Sequence, residues 1–306
     1  MTQNIFKYVC SCIVLVQLSI HFAYSQKPSS DTRQALIDFY HDNNGENWTY
    51  PSEYRRWQID DPNSNINNWY GVTKLTNSIN LRLNSTYHNL SSDSLNLSAL
   101  VNINVGWLTI IDMDINEIIK SSMLTRLVLS TSADNTELIL NSSDLSNLHT
   151  FHFDGLNKDY SNVDFLDILK DYDQLTTLEL NNINLCNING LKNLTFLNEL
   201  KLSDISCLEN VFPLFNLKDL TTLEILRCSD LTNISSLSNL SDLTTLIISG
   251  CYKLSNISAL SGLVNLLELN ISNNNISNLL PLIGLKSLTK LNAWSNGITN
   301  ISSLSS

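Results

Sequence analysis

Basic clusters are missing from this chain. Lysine and arginine number 18 against 29 aspartate and glutamate, giving a formal net charge of −11 with no stretch rich in Lys or Arg. Nucleic acid and anionic membrane surfaces are held by clustered cations, so neither is an expected partner. The acidic balance itself serves solubility and says little more. Apolar runs of the roughly 18 to 20 residues needed to cross a bilayer are also missing, so no membrane span is expected in the mature chain. There is no CxxC pair or histidine cluster to hold zinc, and no Walker loop, GxSxG elbow, HExxH or paired-carboxylate constellation. No metal, cofactor or catalytic activity is therefore expected. His149 and His152 stand in the run HTFH, but strand alternation sends them to opposite faces.

The first 25 residues carry a single charge, Lys7, then the apolar run Ile13-Val14-Leu15-Val16 reaching Ile20, and end on Ala23-Tyr24-Ser25. Small residues at the third-last and last positions fit a secretory signal peptide over residues 1–25, with the mature chain starting near Gln26. Cys12 precedes the apolar run and is misplaced for lipid attachment. The expected location is extracellular.

What the chain has is a period. Leu243-x-x-Leu246-x-Ile248-x-x-Cys251 recurs as Leu266-x-x-Leu269-x-Ile271-x-x-Asn274 and Leu288-x-x-Leu291-x-Ala293-x-x-Asn296. Upstream stand Leu220-x-x-Leu223-x-Ile225-x-x-Cys228, Leu197-x-x-Leu200-x-Leu202 and Leu175-x-x-Leu178-x-Leu180. Weaker copies begin at Leu148 (Phe151, Phe153), Leu124 (Leu127, Leu129) and Leu100 (Ile103, Val105), with a first strand at Leu81 and Leu83. That makes about ten units, 22 to 27 residues apart, over residues 79–306. In each, the paired apolar residues face one side of a short strand. One such strand cannot bury its apolar face alone, so the units must stack into a parallel sheet about 43 Å long. Ile234-x-x-Leu237-x-x-Leu240 and Ile257-x-x-Leu260-x-x-Leu263 suit a 3₁₀-like or helical return on the opposite side.

This pattern resembles the leucine-rich-repeat family, and among its classes the 22-residue type of bacterial internalins and Sds22-like proteins. The resemblance implies an α/β solenoid: a curved, right-handed superhelix with a parallel sheet on its concave face and a short 3₁₀, helical or extended convex side. It further implies a protein or peptide ligand and no enzymatic activity. The phosphatase-regulating role of the Sds22-like proteins is opposed by the signal peptide.

Residues 26–78 read as an amino-terminal cap. DTRQALIDFYHDNN, residues 31–44, offers an Asp cap, apolar residues Leu36, Phe39 and Tyr40 at helical spacing, and Asn43-Asn44-Gly45 as a stop. With Trp48, Trp57 and the run Trp69-Tyr70-Gly71-Val72-Thr73 it resembles the cap preceding leucine-rich repeats in plant receptor-like proteins and in bacterial and protist secreted proteins. The cysteine pair common in the plant cap is missing, so the aromatics must hold it by burial. No closing cap is evident after Leu304, so the last unit is expected to be shielded by a partner or by further chain.

Four cysteines remain after residue 25. Cys228 and Cys251 occupy the slot held by Asn274 and Asn296, where an inward polar side chain hydrogen-bonds the turning backbone, and read as buried thiols. Cys186 and Cys207 lie just past that slot in adjacent repeats; they can approach one another but are expected to stay unbonded. N-x-S/T acceptors stand at Asn47, Asn84, Asn89, Asn96, Asn141, Asn193, Asn233, Asn239, Asn256, Asn270, Asn275 and Asn300. They matter only in a eukaryotic source. Asn233, Asn256 and Asn300 share one slot with Asn278, which lacks the motif, so the turn itself favours Asn there.

The residues between the paired apolar positions face the open side of the sheet: Arg82, Asn104, Val128, His152, Glu179, Lys201, Glu224, Ile247, Asn270 and Asn292. Just after the pairs come Asn84, Gly106, Ser130, Asp154, Asn181, Ser203, Leu226, Ser249, Ser272 and Trp294. Most are small or polar. Leu226, Ile247 and Trp294 are not, and apolar side chains on a solvated concave surface mark contact sites. The expected ligand-binding set is Glu179, Lys201, Glu224, Leu226, Ile247, Asn270, Asn292 and Trp294. A glycan on Asn270 would obstruct it. The expected function is a secreted or cell-surface binding module; the alternative is an internalin-like adhesion or surface-structural protein anchored by a region beyond Ser306.

Overall fold

The computed structural model describes residues 30–43, 45–48, 57, 60, 66, 72–74, 79–84, 100, 105–111, 124–130, 145–159, 166, 169 and 172–304. The expected signal peptide over residues 1–25, Trp69 to Gly71 and the acceptors Asn89, Asn96 and Asn141 lie outside the described residues.

Eleven strands form a single sheet in strict chain order. They are β1 (Val72–Lys74), β2 (Ile79–Asn84), β3 (Val105–Ile111), β4 (Arg126–Ser130), β5 (Thr150–Asp159), β6 (Thr177–Asn184), β7 (Glu199–Ser203), β8 (Thr222–Leu226), β9 (Thr245–Ser249), β10 (Glu268–Asn270) and β11 (Lys290–Asn292). β1 pairs antiparallel with β2; every later pairing is parallel, which is the stacking the repeat demands. Burial alternates strictly along β4, β8 and β9, with the paired apolar residues inward and the residue between them half-exposed. The inward rows make one continuous core running from Ala35 to Leu285. An isolated strand of this length has no independent stability, so each unit is held by its neighbours.

The return path is a 3₁₀ turn. Ser235–Asn239 and Ser258–Gly262 are 3₁₀ segments, as are Asn189–Asn193 and Phe212–Asn216 upstream. The spacing of the apolar residues explains why. Leu237 donates to Ile234 at 3.0 Å, Leu240 to Leu237 at 3.0 Å and Leu243 to Leu240 at 3.2 Å, so each backbone bond closes over three residues and the same three side chains point inward. Asn233, Asn256, Asn278 and Asn300 each accept, through Oδ1, the backbone N–H two residues on, at 2.8 to 2.9 Å. Asn187 and Asn210 do the same at 2.9 and 3.1 Å. The asparagine preference of this slot is therefore a turn-starting bond, present with or without a glycosylation motif.

In each regular repeat the residue two positions after the second of the paired apolar residues is left-handed: Asn182, Asp204, Arg227, Gly250, Asn273 and Ser295, with φ between 50° and 74°. Only Gly250 is free of the side-chain penalty for that conformation. The reward is a cross-repeat ladder. Asp204 N–H donates to Leu226 O at 2.9 Å, Arg227 to Ser249 at 2.8 Å, Gly250 to Ser272 at 3.2 Å and Asn273 to Trp294 at 2.8 Å.

At the front, helix α1 (Ser30–Asp42) begins one residue before the expected Asp31 cap. Phe39, Trp48 and Trp57 are buried, with Tyr40 nearly so. Trp48 meets Tyr40 and Trp57 edge to face at 5.1 and 5.2 Å, and its indole N–H donates to Asn43 O at 3.0 Å. Gly45 is required by contact: a Cβ there would sit 2.1 Å from the Tyr40 ring.

Two expectations are corrected. The second unit is Val105-x-x-Leu108-x-Ile110, since Leu108 pairs with Leu81 and Leu127, and Ile110 with Leu83 and Leu129. The frame read at Leu100, Ile103 and Val105 is five residues early, so the face positions are Thr109 and Ile111 rather than Asn104 and Gly106. Even spacing favoured the wrong frame; the run Trp107-Leu108-Thr109-Ile110-Ile111, with an aromatic and three β-branched residues, is the better strand. Cys186 and Cys207 are joined in a disulfide, with Cα atoms 4.9 Å apart. The rung spacing of the stacked repeats brings them within bonding range, and both lie outside the dry core that holds Cys228 and Cys251.

Candidate functional site

The open face of the sheet is a grid. One row runs Arg82, Thr109, Val128, His152, Glu179, Lys201, Glu224, Ile247, Asn270 and Asn292, every neighbouring pair in register. A second row ends Asn181, Ser203, Leu226 and Ser249. This order is a direct consequence of the period: equal repeats place equal positions side by side about 4.8 Å apart.

The centre of the grid is an ionic cluster around Glu179. Lys201 Nζ stands 2.9 Å from its Oε1, Asn181 Nδ2 donates to the same oxygen at 2.8 Å, and His152 Nδ1 lies 3.3 Å from Oε2. Burial alone would raise the Glu179 pKa, but the hydrogen bonds from Asn181 and Lys201 and the charge of Lys201 outweigh it and hold the carboxyl below its ordinary range. His152 moves down as well: burial disfavours its charged form, and Arg126 and Lys201 add to this against the pull of Glu179. His152 is thus mostly neutral near pH 7, and its 3.3 Å approach to Glu179 is a polar contact that becomes an ion pair only when the ring is protonated. Beside the cluster, Asn181 Oδ1 and the Ser203 hydroxyl are buried on adjacent strands with no hydrogen-bond partner among the described residues.

Next to this cluster lie the apolar residues. Ile247 pairs with Glu224 on one side and Asn270 on the other, and Leu226 stands one strand away beside Ser249; Leu226 and Ile247 are half-buried. Trp294 is 72% exposed, one of the most open large side chains described. Asn270 and Asn292 face the same way, but each uses Oδ1 to accept a backbone N–H, from Ser272 at 3.0 Å and Trp294 at 3.1 Å. Part of their chemistry is spent on the turn. The expected set therefore divides into Glu179 with Lys201, Glu224 with Leu226 and Ile247, and Asn270, Asn292 and Trp294 toward the last strands.

The frame error hid one feature of the same face. Trp107, on β3, is 47% exposed, and the Arg126 guanidinium lies over its ring at 5.5 Å from the centroid. Placing the apolar pair at Leu108 and Ile110 would have shown Trp107 as an outward aromatic. Among the described residues no group of three or more metal-ligating side chains comes together. The buried thiols Cys228 and Cys251 are structural: each Sγ lies within 3.6 to 4.0 Å of two backbone carbonyl oxygens. Contact with Cys251 and burial push the Cys228 thiol up, away from reactive thiolate.

No family model matches the chain, and no curated protein matches it by sequence. Solved structures do. Internalin C2 of Listeria monocytogenes is 26% identical, with 53% of this chain and 69% of that one covered at a TM-score of 0.45. An internalin of the same organism, internalin F, is 25% identical over 68% of this chain, at a TM-score of 0.51. The chain spans 59% of the length of that second structure. The likeness to internalin F and the geometry agree on a leucine-rich-repeat solenoid, an architecture of protein interaction or adhesion. No described helix is long and apolar enough to cross a membrane.

Proposed function

We propose that this leucine-rich-repeat protein is an exported binding module that takes a protein or peptide ligand on the concave face of its sheet. The observation that carries the reading is the contrast on that face from β6 onward: Leu226, Ile247 and Trp294 break a stretch of surface that is otherwise small or polar. A solvated sheet has no need of an indole that open, whereas ligand contact is concentrated on apolar and aromatic anchors beside polar groups. Glu179, Lys201 and Glu224 supply those polar groups. Export is supported by the Cys186–Cys207 disulfide, a bond that persists in oxidising compartments, together with the amino-terminal signal sequence.

The test is affinity capture with the chain from Gln26 to Ser306 against surface and secreted proteins of its source. Once a partner is identified, Ile247→Asp and Trp294→Ala are each expected to weaken it about tenfold or more. Unchanged affinity in both variants, with the fold intact by circular dichroism, would remove these residues from the site.

A further inference from the structure

The outward face changes character along its length. On β2, β3 and β4 the described outward residues are Asn80, Arg82, Trp107, Thr109, Ile111, Arg126, Val128 and Ser130, and none is acidic. From β5 onward Asp154, Glu179, Glu199, Glu224 and Glu268 all appear on that face. A chain with 29 acidic and 18 basic residues thus has no carboxylate among the described outward residues at one end of its sheet, and sets two arginines there.

We propose that Arg82, Trp107 and Arg126 form a subsite for an acidic segment of a protein partner, laid across β2 to β4. The inference rests on the concave-face reading above and deepens it by naming the ligand chemistry. Arg82 and Arg126 sit two strands and two residue positions apart, about 12 Å by strand spacing and rise. That distance suits carboxylates on successive same-side residues of an extended peptide, roughly 7 Å apart, with the reach of two long side chains covering the remainder. Arg126 is preorganised. Its guanidinium is stacked over the Trp107 indole, which fixes the plane of the fork while leaving the N–H edges free for bidentate contact with a carboxylate. Trp107, Val128 and Ile111 supply apolar area between the cations. This favours a peptide with interleaved apolar residues over a sulfated glycan, which binds through denser positive charge. On the next strand burial lowers the His152 pKa and the charge of Arg126 adds to that lowering, so the positive potential of Arg126 is felt at the edge of the ionic cluster.

A display library of random dodecapeptides selected on the full chain tests this. The selected pool is expected to be enriched about twofold or more in Asp and Glu over the input, and its members to lose about tenfold or more in affinity for the double variant Arg82→Glu/Arg126→Glu, with weakening at high salt. Arg82→Gln and Arg126→Gln, milder changes at the same outward positions, are expected to give smaller losses in the same direction and guard against a folding failure of the double reversal. Trp107→Ala is expected to reduce binding where Trp107→Phe preserves most of it. A pool without acidic enrichment overturns the proposal. So do acidic peptides that bind the arginine variants unchanged, or heparin binding the site more tightly than any selected peptide. These outcomes are read on β2 to β4, separately from the Ile247→Asp and Trp294→Ala result on β9 and beyond, so either reading can fail without the other.

Discussion

Leu246 and Leu291 hold the same position in their repeats, inward on a parallel strand and three residues after a leading leucine. Leu246, on β9, is 0% exposed, whereas Leu291, on β11, is half-exposed, as are Leu288 and Ala293 around it. Nothing in their own units accounts for this. β9 has β8 and β10 on its two sides, while β11 has a described neighbour only in β10. The front of the sheet answers the same geometric problem with α1, Trp48 and Trp57, which lie over the first strands as part of one core. Burial in this fold is conferred by the adjacent unit, so identical residues differ in worth by place.

The largest expected effects sharpen that contrast. Trp48→Ala removes a buried indole from the front and is expected to cost about 3–5 kcal/mol; Leu246→Ala is expected to cost about 2–5 kcal/mol in mid-sheet. Leu291→Ala, with its side chain already half in water, is expected to cost about 1 kcal/mol or less. Urea denaturation of the three variants measures this directly. A loss at Leu291 equal to that at Leu246 would mean that β11 is covered in solution.

A second pair of positions gives a smaller difference. Residues 183, 205, 228, 251, 274 and 296 fill one slot, and the slot turns from Ile to Cys to Asn along the chain. Asn274 donates to Ile248 O at 2.7 Å and Ile271 O at 2.9 Å and accepts from Cys251 N at 2.9 Å. The Cys251 thiol makes weak contacts to Ile225 O and Ser249 O, both at 3.9 Å, and to the Cys228 thiol. Asn274→Ala strands three buried backbone groups and is expected to cost about 1–3 kcal/mol, more than Cys251→Ala, which loses a small apolar side chain with a weak S–H donor. Thermal denaturation of both variants decides it; a larger loss at Cys251 would mean that the slot acts through packing rather than through hydrogen bonds.

How much of this was legible in the sequence follows the same gradient. From Leu175 onward the strands, the 3₁₀ returns and the Asn slots could be placed to the residue, because every unit repeats the same apolar spacing. Upstream the spacing varies, and the second unit was framed five residues early. Register there is fixed by neighbour pairing, as between Leu81 and Leu108, and a local motif does not carry that information. The Cys186–Cys207 bond was missed because it depends on rung spacing just past the slot, where the two repeats differ in length. On the open face the pattern placed Ile247 and Trp294 correctly, yet it could not show that Asn270 and Asn292 spend an oxygen on the turn, nor that Glu179 gathers Asn181, Lys201 and His152.

That cluster supplies the smallest and most specific test. His152 is held below its ordinary value, so the unfolded chain takes up a proton more readily than the fold does. Stability then falls as pH drops through about 6.5, the unfolded histidine range, and rises again on return to neutrality. Glu179 is also held low; its contribution is complete above the unfolded carboxyl range and is lost only as pH falls further, through its folded value. Both slopes have the same sign but occupy different windows. His152→Gln, which keeps a donor toward Glu179, is expected to flatten the urea midpoint between about pH 7 and 5 and leave the more acidic decline in place. The groups facing His152 are Glu179, Arg126, Lys201 and Glu199. If the variant retains the full slope through pH 6, the acid sensitivity belongs to another histidine, and the centre of the sheet responds to pH only through its carboxylate.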